Sequence, residues 1–254
     1  MSIRIKSAVL TLMPLAALCA VFTSKLQSNT IAVWNNYVDR AERTAATLPL
    51  LHVSRDAPVL TDLNPNGDNA GEDIPNGYIH HWIGAVRIPN AAVSSVQAIL
   101  EDYENYTSIY GPHIKSASAT RVTEDAWLRQ YDVRLVSERV EGLGVRFAFD
   151  IRSRVDFRTV NGEARIDSRS YSIRESNSGK APYQDLLPEG SDHGIIWRLN
   201  AYWRLRQTGT SVYAECQVIS LSRKPLRGMH ELVKSRARDS LEATLQQTLA
   251  RVRR

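Results

Sequence analysis

The chain has 254 residues, 43% of them hydrophobic and 23% charged, with a formal charge of +5. That is material for one large domain or two small ones, and the proportions exclude a chain that is disordered throughout. Arg and Lys alternate with Asp and Glu along the chain instead of forming a block, which argues for a solvated mixed-charge surface and against a nucleic-acid partner.

Residues 1–24 carry Arg4 and Lys6, then an apolar run from Ala8 to Phe22 broken by Thr11 and Pro14. This is a secretory signal in outline, short for a membrane span of about 20 residues. A cut after Ala20 is expected, with an uncut anchor as the alternative. Either way the chain is expected outside the cytoplasm, in the periplasm or on the envelope. A product without its first 20 residues loses two basic groups and carries about +3, and Arg251, Arg253 and Arg254 offer a short contact to an acidic membrane surface. It also keeps Cys216 as its single cysteine, so an internal disulfide is excluded and the thiol reads as a small buried apolar group.

Residues 29–48 read as a helix, because Ile31, Trp34, Val38, Ala41 and Ala45 recur at helical spacing. Whether that face packs on the rest of the chain or on a partner is open at this point. Residues 49–77, rich in Pro, Gly, Asp and Asn, read as an irregular connector. A first strand is expected over 78–89, closed by Pro89. Asn90 is placed as the cap of a helix holding Val93, Val96, Ile99 and Leu100, and a second helical piece carries Tyr103, Tyr106, Ile109 and Tyr110.

Period two then dominates, with strands expected over 114–123, 127–137, 145–160, 163–175, 194–207 and 211–222. The clearest is 194–207, where Ile195, Trp197, Leu199, Ala201, Trp203 and Leu205 alternate with Arg198, Asn200, Tyr202, Arg204 and Arg206. Side chains leave a strand on opposite sides, so the first set predicts a dry face and the second a wet one. Asn161-Gly162 and Thr208-Gly209 mark hairpins, and residues 176–193 read as an excursion over one rim. From Met229 onward, Leu232, Val233, Ala237, Leu241, Leu245, Leu249 and Val252 form the apolar stripe of a long terminal helix.

The expected fold is α+β: a curved antiparallel sheet of about seven strands wrapped around the C-terminal helix. The division is residues 1–20 as signal or anchor, 21–77 as N-terminal helix and connector, and 78–254 as the domain proper. A hollow follows wherever inward side chains do not fill the grip. In 163–175 the positions Ala164, Ile166, Ser168, Ser170 and Ser172 are either inward, giving room and hydroxyls for a ligand, or on a solvated edge.

The segments Ile79-His80-His81-Trp82-Ile83-Gly84, Asp102-Tyr103 to Tyr110-Gly111-Pro112, Asp192-His193-Gly194 with Trp197-Arg198-Leu199-Asn200, and Val212-Tyr213 to Glu215-Cys216 resemble the START-like superfamily. Its members, also called SRPBCC or helix-grip proteins, include lipid-transfer domains and aromatic polyketide cyclases. The resemblance covers residues 78–254, is nearest to an uncharacterised exported bacterial branch, and implies the helix-grip fold. It does not fix an activity, since members hold or process very different molecules.

Adjacent His80 and His81 point to opposite faces of a strand and cannot share one ion, and no third ligand stands at a recognisable spacing, so no metal is expected. No serine sits in a nucleophile elbow and no glycine-rich phosphate loop or dinucleotide fingerprint occurs, so no cofactor is expected. The cavity candidates are His80, Trp82, Tyr110, Phe147, Phe149, Ser168, Ser170, Trp197 and Trp203. The first functional expectation is carriage of a hydrophobic small molecule, lipid-like or polyketide-like, with residues 176–193 or 103–112 as its gate. The alternatives are a cyclase or hydratase using His80, Tyr110, Asp192 and His193 as acid and base, and an envelope interaction protein with a filled interior.

Overall fold

The period-two segments become long antiparallel strands. The computed structural model describes residues 24–51, 53, 56–64, 74–140, 146–224 and 230–253; the leader-like segment, its cut after Ala20, and Met229 lie outside them. In chain order the elements are β1 (Ser24–Lys25), α1 (Ser28–Thr47), β2 (Val59–Asp62), β3 (Gly77–Pro89), α2 (Val93–Glu101), a 3-10 turn (Tyr103–Asn105) and α3 (Tyr106–Ile109). Then come β4 (Ile114–Glu124), β5 (Leu128–Val140), β6 (Arg146–Val160), β7 (Glu163–Glu175), β8 (Ser191–Asp192), β9 (Arg198–Thr208), β10 (Ser211–Arg223) and α4 (His230–Val252).

Eight strands form one sheet in the order β2-β3-β10-β9-β7-β6-β5-β4, every pair antiparallel. The extra strand is β2, inside the segment read as an irregular connector; its Val59 to Asp62 pair with Ala85 to Trp82. Four residues between Pro58 and the bend at Leu63 are too few to display a period, so pairing with β3 decides their conformation. Register shifts near residues 115, 122 and 171 bulge the strands, and bulges add local twist. The sheet thereby curls so that α4 lies in its concave side. Gly84 of β3 makes the closest approach possible: a Cβ there would stand 2.6 Å from Leu245 Cδ1.

The hairpin at Asn161-Gly162 has both residues at positive φ, 52° and 74°, the geometry that a two-residue turn between twisted strands requires. Asn90 is not the cap of α2. It turns at φ 53°, and Ala92 holds the N-cap position.

Over the central strands the convex face is covered, contrary to the sequence expectation, while Arg206 at the end of β9 stays exposed. Helix α1 lies across this face and buries Trp34 and Val38 against Ile79, Tyr202, Ile219 and Leu221. The central strands are therefore covered on both faces there, and Asn200, Tyr202 and Arg204, assigned to water, are buried. Tyr202 Oη donates to Glu42 of α1 at 2.6 Å, and Arg169 Nε donates to the same carboxylate at 2.9 Å. This answers where the N-terminal helix packs: on its own domain.

His81 belongs to this layer. The Gln217 amide donates to its Nε2 at 2.7 Å, which leaves the ring proton on Nδ1 for the Tyr37 hydroxyl at 2.8 Å. A neutral ring satisfies both contacts, and burial lowers the pKa from the ordinary 6.5 to about 4, against a smaller upward pull from Asp62. Because the folded value is depressed, the contribution is present above pH 6.5, where neither state is charged, and is lost as pH falls toward 4, where the unfolded chain binds the proton first. Stability should therefore decline by up to about 3 kcal/mol from this group across that window. His81→Gln, followed by urea unfolding between pH 7 and pH 4, should flatten that part of the profile; an unchanged slope would assign it elsewhere.

Candidate functional site

The concave side holds two packed regions with a hollow between them. The larger core joins Trp82, Val86 and Ile88 of β3 to Leu241, Leu245 and Leu249 in the C-terminal half of α4. The smaller one joins Phe149, Ile151 and Ile173, backed by Ile195, Ile196 and Leu199. Between them, under the N-terminal half of α4, a cavity of about 380 Å³ remains, within the range of small-molecule sites.

The hollow exists because small side chains face each other. The helix presents Ala237, Ser240 and Thr244, and the sheet presents Ala201, Cys216, Ser220 and Ser222. Leu199, Ala201 and Val218 lie on the inner face of central strands yet are only half-buried, so the surface that they keep faces empty volume instead of neighbours. Phe147, Phe149, Ile151 and Trp203 complete an apolar wall.

Polar groups enter the lining from β3, β5, β10 and α4, among them His80, Arg139, Ser222 and Arg236. His80 Nε2 lies 3.2 Å from Ser222 Oγ, whose hydroxyl donates to the Arg223 carbonyl at 3.0 Å, so the imidazole donates to the serine. Cys216 is free and fully buried on the wall, and burial pushes its thiol well above the ordinary value, which keeps it protonated and unreactive.

Of the nine residues singled out from sequence, His80, Phe147, Phe149 and Trp203 line the cavity. Trp82 joins the packed core on the same face. Tyr110 is drawn to the far half of α4, where its hydroxyl meets Thr248 Oγ1 at 3.1 Å while Gln247 donates to the Gly111 carbonyl at 2.9 Å. Ser168 lies inward between Val155 and Ala201 but away from the cavity wall. Ser170 closes the split where β7 and β9 part: its Oγ accepts from Leu199 N at 2.8 Å, and its own N donates to Asn200 Oδ1 at 3.3 Å.

Trp197 is the largest departure. Strand β9 starts at Arg198, and the chain before it turns at Gly194 with φ 69°. Trp197 consequently falls in the convex-face cluster with Trp34, its indole Nε1 donating to Asp192 Oδ1 at 2.9 Å. Asp192 also accepts from Gly194 N at 2.7 Å, so it builds the turn. His193 pairs instead with buried Glu175, Nδ1 to Oε1 at 2.9 Å. Burial raises the pKa of Glu175, and the His193 contact pulls it only partly back.

Sequence reasoning passed over Ser137, Ala201, Val218, Ser220, Ser222, Ala237, Ser240 and Thr244. A signal was present: on β10 the inward positions shrink from Val218 to Ser220 and Ser222 while the facing helix positions are Ala, Ser and Thr. No residue of 176–193 or of 103–112 lines the cavity, so neither segment forms part of its wall. Among the described residues no group of three or more His, Cys, Asp or Glu could hold a metal ion, and no helix is long and apolar enough to cross a membrane.

No family model and no curated protein matches the chain. Among solved structures, a STAR-related lipid transfer protein fragment from Xanthomonas axonopodis is similar at 13% identity and TM-score 0.48, over 78% of this chain and all of that one. Human STARD10 is similar at 10% identity and TM-score 0.49, over 83% of this chain and 78% of that one. The Zhui aromatase/cyclase from Streptomyces sp. R1128 is similar at 14% identity and TM-score 0.45, over 70% of this chain and 95% of that one. Likeness at this level concerns the course of the chain and says nothing of ligand or reaction. The eight-stranded antiparallel sheet packed on its terminal helix is the helix-grip arrangement expected from the sequence.

Proposed function

We propose that the chain holds one hydrophobic small molecule, lipid-like or polyketide-like, between the sheet and the N-terminal half of α4, without covalent chemistry. The observation that carries this reading is the incomplete burial of Leu199, Ala201 and Val218 beside a largely apolar hollow of about 380 Å³. Each 100 Å² of apolar ligand surface moved out of water there contributes about 2.5 kcal/mol before the costs of ordering. The cyclase or hydratase alternative needs two of His80, Tyr110, Asp192 and His193 to meet in the hollow, and only His80 reaches it. An interior filled by its own side chains is disfavoured by the same volume.

Export belongs to the proposal on the strength of Arg4, Lys6 and the apolar run to Phe22. Binding is tested with the neutral dye N-phenyl-1-naphthylamine. Its emission should rise and saturate at one equivalent of protein; no rise, or a rise without saturation, would contradict an open apolar site.

A further inference from the structure

Room alone does not explain the short residues around the hollow. Ala201 and Ala237 leave space, yet three other short positions carry hydroxyls: Ser137 of β5, Ser220 of β10 and Ser240 of α4. A serine leaves nearly the same room as alanine but brings a donor and two lone pairs that need partners. Two further hydroxyls on the wall find theirs inside the fold. Ser222 donates to the Arg223 carbonyl at 3.0 Å, and Thr244 donates to the Ser240 carbonyl at 2.9 Å. Among the described residues, the hydroxyls of Ser137, Ser220 and Ser240 have no hydrogen-bond partner. Ser220 is only 8% exposed, set in register between Leu199 of β9 and His80 of β3, so the surface it keeps is turned to the hollow. A polar group that deep is costly to strip of water and leave unmet.

These hydroxyls reach the hollow from three sides. Strands β5 and β10 stand four places apart in the sheet, and α4 closes its concave side. A ligand with one polar head meets one of these walls, whereas meeting two requires oxygens at separate places on the molecule. Serine both donates and accepts, so carbonyl and hydroxyl oxygens suit it equally. Dispersed neutral hydroxyls do not compensate a buried charge, and Arg139, Arg223 and Arg236 on the wall each already have an interaction within the chain.

We infer that the ligand is a neutral hydrophobic molecule with carbonyl or hydroxyl oxygens at two or more separate places, met by Ser137, Ser220 and Ser240. The inference rests on the proposed ligand-binding reading and narrows it.

The test uses the purified full-length chain and displacement of N-phenyl-1-naphthylamine by two sets of probes. One set is rigid, 5α-androstane and its 3,17-dione; the other is flexible, dodecane, dodecane-1,12-diol and dodecanedioate. Each set keeps one skeleton and changes only its oxygens. For the dione or the diol, at least two of Ser137→Ala, Ser220→Ala and Ser240→Ala should each weaken binding by about fivefold, the effect of one lost hydrogen bond. The parent hydrocarbon should change by less than about twofold, which also shows that the variants are folded. Dodecanedioate should bind more weakly than the diol. Loss at one serine or none, or no displacement by any probe while the dye binds, would overturn the oxygen-bearing ligand and leave the hydrophobic site standing. Dodecanedioate binding as tightly as the diol would overturn its neutrality. Failure of the dye and of every probe would overturn both readings.

Discussion

Replacing Arg204 by methionine is expected to destabilise the fold by about 3–5 kcal/mol, the range for breaking a buried ion pair from one side. Arg204 is 8% exposed, between Glu163 at 2% and Glu215 at 3%. Its Nε donates to Glu163 Oε1 at 2.9 Å, Nη1 to Glu215 Oε1 at 3.3 Å, and Nη2 to the Leu48 carbonyl at 3.0 Å. The second oxygen of Glu215 accepts from Leu51 N at 2.8 Å, so these groups pin the segment that follows α1 onto the convex face.

Burial pushes Glu163 up, yet its bonds from Arg204 and Arg165 outweigh that and hold it below the ordinary value. Burial also raises Glu215, and there Leu51 N and Arg204 restore it only partly. Methionine would leave Glu215 without its cation. A carboxyl whose folded pKa lies above its unfolded one contributes stability at low pH and loses it as pH rises, so the loss should be larger at pH 8 than at pH 5. Adding Glu215→Gln should recover part of it. Urea unfolding at the two pH values measures both effects; a loss under about 1 kcal/mol would place the strap outside the cooperative unit.

Ala201→Trp should have the opposite profile, with binding lost and stability kept. Ala201 faces the hollow from the middle of β9, flanked by Ser168 of β7 and Val218 of β10. An indole there would occupy the volume that the ligand needs, and dye affinity should fall by about 100-fold, or about 2.7 kcal/mol. The same indole would bury apolar surface in space already available, so unfolding free energy should stay within about 1 kcal/mol of the parent. If the space were closed in solution, overpacking would instead cost about 1–3 kcal/mol. The pair of measurements separates a site from a packing defect.

The sheet and the gripping helix were legible because their signals are periodic and local. Phe147, Phe149 and Ile151, or Leu241, Leu245 and Leu249, reveal a face without knowledge of what covers it. What covers a face is a nonlocal fact. Arg204, Tyr202 and Asn200 read as solvated because strand alternation separates polar from apolar, and nothing in residues 194–207 records that α1 lies over them. Trp197 was misplaced for a related reason: residues 194–197 bend before the strand begins at Arg198, so alternation does not reach Trp197, and composition hides the break. The hollow was sought in the serines of β7 because they are conspicuous, whereas it is set by Ala201, Ser220 and Ser222 facing Ala237, Ser240 and Thr244, small residues spread over three elements. Volume is a property of facing surfaces, and each surface alone reads as ordinary.

Native mass spectrometry of the protein purified from its own host's envelope tests the ligand-holding reading most directly. One stoichiometric passenger per chain is expected, released on organic extraction and identified as a hydrophobic small molecule, with the protein mass also reporting whether the first 20 residues are gone. A chain that emerges empty, and stays empty when offered the dye in solution, would contradict this reading.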